Sequence, residues 1–122
     1  MLKVHTRNLG NVAILCLQGR IVHGETASLR EAVYAQSTVN AVVLDFARVT
    51  AVDAGGLGMM LELRRHTEAN GMSFKLMNVS RFVRQVLEIT RLDSVFEVIP
   101  RIEPLPALAQ TRRAPVEFAA CA

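Results

Sequence analysis

Between Ala41 and Gly58 the chain reads AVVLDFARVTAVDAGGLG, and no other segment restricts the fold as tightly. Ala41-Val42-Val43-Leu44 is an uninterrupted apolar run, closed by Asp45 and Phe46. A run without polar alternation predicts a strand buried on both faces, as in a parallel sheet covered by helices. After a short loop, Asp53 stands where a helix N-cap would stand. From there its carboxylate can accept from the backbone N–H groups of Gly55 and Gly56. Gly55, Gly56 and Gly58 strip the helix entrance of side chains. Two uses fit that pattern: tight packing of helix on sheet, or close approach by another molecule's backbone or an anion.

The remaining segments alternate in the same way. Leu2 to Arg7 and Asn11 to Gln18 read as two strands joined by a hairpin turn at Asn8-Leu9-Gly10. A helix follows from about Thr26 to Gln36, with Leu29, Ala32 and Val33 forming one apolar stripe. Ser28 and Glu31 have capping-box spacing, which predicts a late start for that helix. The helix after Asp53 runs to about Ala69 and ends at Asn70-Gly71. Ser73 to Met77 reads as a short strand. Ser80 opens a helix through Ile89 that buries Phe82, Val83, Val86 and Leu87, and Val95 to Ile99 is a last, edge strand. The order β-β-α-β-α-β-α-β gives an α/β fold: a mixed sheet of four to five strands with helices mainly on one face. The domain is expected to span 1–110, with a short helix over 102–109 and a flexible tail over 111–122.

Composition excludes several functional classes. The chain has 122 residues, 51% of them apolar, and a net charge of +3. That suits one small domain with a real core and argues against global disorder. Basic residues are scattered beside acidic ones and lack interleaved aromatics, so no nucleic acid is expected as a partner. No apolar run approaches the ~20 residues of a membrane-spanning helix, and Met1 to Arg7 has no signal-peptide core. A cytoplasmic protein without membrane insertion is expected. Cys16 reads as a small buried hydrophobe and Cys121 lies in the tail, which is no disulfide framework.

Catalytic patterns are missing too. His5, His23 and His66 lack metal-ligand spacing. Ser28, Ser37, Ser73, Ser80 and Ser94 sit in no nucleophile-elbow context. The Gly-Gly-Leu-Gly run lacks the Lys and Ser/Thr of a phosphate-binding P-loop. Asp45 and Asp53 bracket the central loop and could share a cation, but helix capping by Asp53 and loop satisfaction by Asp45 account for them better. The reading is a binding module with no catalytic residues, no metal and no cofactor.

Strand, Asp, two small residues, Gly-Leu-Gly and an apolar helix resemble the centre of the STAS domain, named for sulphate transporters and anti-sigma factor antagonists. Leu17-Gln18-Gly19-Arg20-Ile21 resembles the family's second strand. Val86 to Phe96 resembles its third helix and the following turn. The resemblance covers roughly residues 1–100 and implies an anti-sigma factor antagonist: a protein that binds an anti-sigma factor, usually a histidine-kinase-like ATPase, and so regulates transcription. It places the partner-binding surface on Asp53, Ala54, Gly55, Gly56, Leu57 and Gly58 beside the loop of Arg20, Val22, His23 and Gly24. Bulky residues at Gly56 or Gly58 are expected to weaken docking without unfolding the domain.

Two departures stand out. Phosphorylatable members read Asp-Ser-Ser-Gly-Leu-Gly, and a partner kinase phosphorylates the second serine. Here that position is Gly55, and neither it nor Ala54 carries a hydroxyl. Thr50 and Ser80 are the nearest hydroxyls, read as a loop residue and an N-cap. Val22 stands where the family commonly has Asp. The resemblance therefore implies an antagonist that phosphorylation does not switch. The alternative is a scaffold or accessory subunit of a larger assembly, such as a stress-sensing complex or a membrane transport ATPase, which would form homo-oligomers or large particles.

Overall fold

The computed structural model of the chain describes residues 1–100. Strands β1 (Lys3–Leu9) and β2 (Val12–Ile21) form an antiparallel hairpin. Leu9 pairs with Val12, so the turn is Gly10-Asn11, one residue later than the sequence suggested. Gly10 supplies the positive φ, 61°, that such a two-residue turn needs at its first position. The chain then crosses through α1 (Ala27–Tyr34) to β3 (Ala41–Val52), through α2 (Ala54–Ala69) to β4 (Ser73–Met77), and through α3 (Arg81–Ile89) to β5 (Glu97–Ile99). The sheet order is β1-β2-β3-β4-β5, with β2 through β5 parallel. This is the expected mixed α/β architecture, and β5 is an edge strand as expected.

Strand alternation divides the sheet into two apolar faces. Leu15, Leu17, Val42, Leu44, Phe46, Phe74 and Leu76 meet the helices. Against them pack Leu29 and Val33 of α1, Leu57, Met60 and Leu63 of α2, and Val83 and Leu87 of α3. Each fully buried leucine here contributes about 1.5–3 kcal/mol of transfer free energy. The other face carries a smaller cluster of Ile14, Cys16, Val43 and Met77. Cys16 is buried, as its apolar strand predicted. An Arg30–Glu62 ion pair and a stack of Tyr34 on His66, with ring centroids 3.9 Å apart, tie α1 to α2.

Four local expectations give way to the structure. Strand β3 does not close at Phe46 but continues to Val52, still paired with β2. It absorbs extra residues in two register shifts, opposite Cys16/Gln18 and Gly19/Arg20. Asp45 stabilises the first: buried to 4% exposure, its Oδ1 accepts from the Ala47 N–H at 2.9 Å and the Asn78 side-chain amide at 3.0 Å. Asp45 does satisfy neighbouring backbone, then, but at a bulge within a strand. Second, α1 starts at Ala27 without a capping box, because the Ser28 hydroxyl donates instead to the Leu2 carbonyl. Third, Phe82 is 54% exposed, since α3 turns Val83 and Leu87 to the core and leaves Val86 at the margin. Fourth, β5 is only three residues long, and Phe96 packs on Phe74 from the preceding turn. The helix expected over 102–109, the tail over 111–122 and Cys121 lie outside the described residues.

Candidate functional site

The parallel strands β2 and β3 end side by side, with Ile21 opposite Val52. Two segments leave from these ends, the loop toward α1 and the first turn of α2. The Asp53 N–H donates to the Ile21 carbonyl at 3.3 Å and holds the two exits together.

Asp53 organises the tip. Its backbone is extended, and its Oδ1 accepts from the Gly56 N–H at 2.8 Å, the N-cap bond expected from the sequence. The carboxylate also accepts from the His23 N–H, at 3.1 Å to each oxygen. Those donors, Gly56 first and His23 second, stabilise the anion and hold the carboxyl below the ordinary aspartate range. Only the Gly56 bond was legible in sequence. The His23 bond joins residues thirty positions apart, and no local pattern announces it.

The three glycines of the entrance do different work. A Cβ on Gly56 would stand 1.9 Å from the Ile21 carbonyl oxygen, so that position is packed against strand backbone and accepts no side chain. A Cβ on Gly55 would stand 2.7 Å from the His23 Cβ, and 3.1 Å from both the His23 Cα and Nδ1. Gly58 faces open space. The two uses that the sequence left open are thus divided: Gly56 serves helix–sheet packing, while Gly55 and Gly58 are exposed. Bulk at Gly56 must displace the Ile21 backbone and so destabilise the domain, against the expectation that only docking would suffer.

The remaining residues sort by exposure. Leu57 is buried in the main core, whereas Asp53 and Ala54 lie at the surface. Arg20, His23 and Gly24 are exposed and Val22 is half-buried. The Arg20 guanidinium donates to Glu25 at 3.0 Å, and the Glu25 N–H donates to the Val22 carbonyl, so the loop forms a closed turn. Sequence reasoning did not anticipate the Arg20–Glu25 pair. Thr50 lies on β3 rather than in a loop, its hydroxyl donating to the Gly19 carbonyl at 3.3 Å. Ser80 is an N-cap as expected, accepting from the Val83 N–H. Among the described residues, no group of three or more His, Cys, Asp or Glu is placed to hold a metal ion, and no helix is long and apolar enough to cross a membrane.

The geometry is therefore a small tip tied together by hydrogen bonds, with Gly55 and Gly58 exposed and an anionic cap at Asp53. Comparison with known proteins bears on the family and the fold. A STAS-domain containing protein of Pseudomonas aeruginosa is 30% identical over 90 residues, 73% of this chain and 89% of that protein. The crystal structure of an anti-sigma factor antagonist from Mycobacterium paratuberculosis superposes with a TM-score of 0.71 at 19% identity, covering 84% of this chain and 88% of that one. The anti-sigma factor antagonist SpoIIAA in its unphosphorylated form superposes with a TM-score of 0.67 at 23% identity, covering 90% and 96%. These two likenesses concern the fold. The model of the STAS domain family matches residues 3–104. With that match over most of its length, and with its sheet, helices and capped glycine tip in the order described, the chain belongs to the STAS domain family.

Proposed function

We propose that this chain is a non-catalytic docking module of the anti-sigma factor antagonist type, acting in the cytoplasm. It binds an anti-sigma factor with a histidine-kinase-like ATPase domain and thereby regulates transcription. The surface offered is the exposed part of the tip: Asp53, Ala54, Gly55 and Gly58, with Arg20, Val22, His23 and Gly24 beside it. Gly56 and Leu57 act from beneath by shaping it. One observation carries the reading: Asp53 bonds both the His23 and Gly56 N–H groups, so the two halves of the surface are set before a partner arrives.

Docking here is not switched by phosphate at position 55. A phosphoryl group there would add about −1.5 to −2 charges beside the anionic Asp53 and push a partner off. Gly55 has no hydroxyl to receive one. Control then falls to abundance or to a competing protein.

The test is affinity capture from the native host with mass spectrometry, run beside a Gly58→Trp variant whose circular dichroism matches the parent. Recovery of a histidine-kinase-type ATPase by the parent and its loss with Gly58→Trp is the expected result. Equal recovery by both would move the surface elsewhere. A large homomeric particle in light scattering, with no ATPase, would favour the scaffold reading.

A further inference from the structure

Strand β1 is an edge of the sheet, and among the described residues its outer side pairs with no other strand. Its side chains alternate between the two faces, so Lys3, His5 and Arg7 share one of them. Their partners on β2 are Gln18, Cys16 and Ile14, none of them acidic. Cys16 and Ile14 belong to the cluster opposite the helices, which fixes the face. Gln18 pairs in turn with the exposed Arg48 of β3, so another cation joins the row ~10 Å from Lys3 at the usual strand spacing. Lys3 and Arg7 lie ~13 Å apart along the strand. Among the described residues, Lys3, Arg7 and Arg48 make no ion pair. The acidic groups of this face are already engaged: Asp45 is buried in bonds to Ala47 and Asn78, and Glu97 pairs with Lys75. Basic residues that look scattered in the sequence are thus gathered by the register into one cationic patch beside an unpaired strand edge.

We propose that β1 is a docking edge for an extended segment of a partner protein, one that alternates acidic residues with apolar or small ones. A strand added beside β1 draws affinity from backbone hydrogen bonds and selectivity from its alternate side chains. On the cationic face those side chains stand ~5 Å, Cβ to Cβ, from Lys3, His5 and Arg7, within reach for carboxylates to pair. On the other face they meet Thr6 and Val4, which packs against the main core, and apolar or small residues suit that side. A second copy of β1 does not fit. Antiparallel pairing about His5 would set Lys3 against Arg7 and Arg7 against Lys3, and like charges directly opposed destabilise a ladder. The same cations therefore reject self-association and select an acidic strand. Arg48, too far back to pair directly, adds to the attraction that guides such a segment in. The edge is available whatever the tip binds.

The test titrates the isotope-labelled full chain with a short blocked peptide of alternating Glu and Val, followed by nuclear magnetic resonance. Amide shifts centred on residues 3–9, with slowed amide exchange along β1 and binding that weakens as salt is raised, are the expected result. Joint Lys3→Glu and Arg7→Glu replacement should weaken this binding about tenfold or more. It should also create binding of the matching Lys-Val peptide, which shows at once that the variant is folded. A Glu-Val peptide N-methylated at alternate residues, on the side toward β1, keeps its charge but cannot form the ladder, and should not bind. Equal binding of the methylated and plain peptides would overturn the proposal, since charge alone would then suffice. So would shifts centred on Gly55 and Gly58, a folded double variant that binds the Glu-Val peptide as the parent does, or capture by phosphatidylglycerol vesicles with no response to the peptide.

Discussion

The Cβ of His23 stands 2.7 Å from where a Cβ at Gly55 would lie, so these two positions cannot both carry side chains in this backbone. Gly55 is thus coupled to the loop that crosses it. A serine placed there would meet His23 first. Gly55→Ser is expected to lower stability by about 1–3 kcal/mol, the usual cost of forcing atoms into occupied space. Adding His23→Gly removes the closest atom and should recover much of that loss. Urea denaturation of the two single variants and the pair, read as a double-mutant cycle, measures the coupling; strictly additive effects would contradict it.

Gly56 and Gly58 should behave in opposite ways. Gly56→Ala drives a methyl into the Ile21 carbonyl oxygen and is expected to cost at least about 1–3 kcal/mol. Gly58→Ala meets nothing, and removing a helix glycine should stabilise the domain by about 0.5–1 kcal/mol. Thermal melts of the two variants, side by side, decide the point.

Asp53 predicts a pH dependence with a definite sign. Its carboxyl in the folded chain is held below its unfolded value, mainly by the Gly56 N–H and then by that of His23. Its ionised form therefore stabilises the fold fully above the unfolded value of about 3.9, and that contribution is lost as pH falls through the lower folded value. Asp53→Asn should be less stable than the parent at neutral pH, and the gap should narrow as the solution is acidified below about pH 4. Denaturant midpoints at several pH values would show it; a gap independent of pH would not fit.

The two apolar residues of α3 offer a contrast within one helix. Leu87→Ala should cost about 2–5 kcal/mol, because it empties a buried site in the main core. Phe82→Ser should stay within about 0.5 kcal/mol of the parent, because that ring is mostly in water. Chemical denaturation separates the two outcomes readily.

What the sequence revealed, and what it hid, follows from the range of each interaction. The apolar run of β3, the Asp53 cap, the Ser80 cap and the Asn70-Gly71 helix end are local, and each appears where its residues predict it. The extension of β3 to Val52 was hidden because it depends on pairing with β2 through two bulges, and Arg48 and Thr50 look like loop residues when read alone. The Ser28–Glu31 spacing misled because a tertiary acceptor, the Leu2 carbonyl, took the hydroxyl. Phe82 misled because apolar character says nothing of which way a short amphipathic helix is rotated. At the tip, the glycines were legible as a group but not as individuals. Dividing them required the positions of Ile21 and His23, which come from another strand exit.

The pairing of Ile21 with Val52 has a consequence for how this surface can change over evolutionary time. Its two fingers grow from adjacent parallel strands, so their relative height is counted in residues from a shared ladder. Side chains on the fingers are free to vary without changing that height. An insertion or deletion just upstream of either finger would leave one standing proud of the other, and that kind of change should be rare.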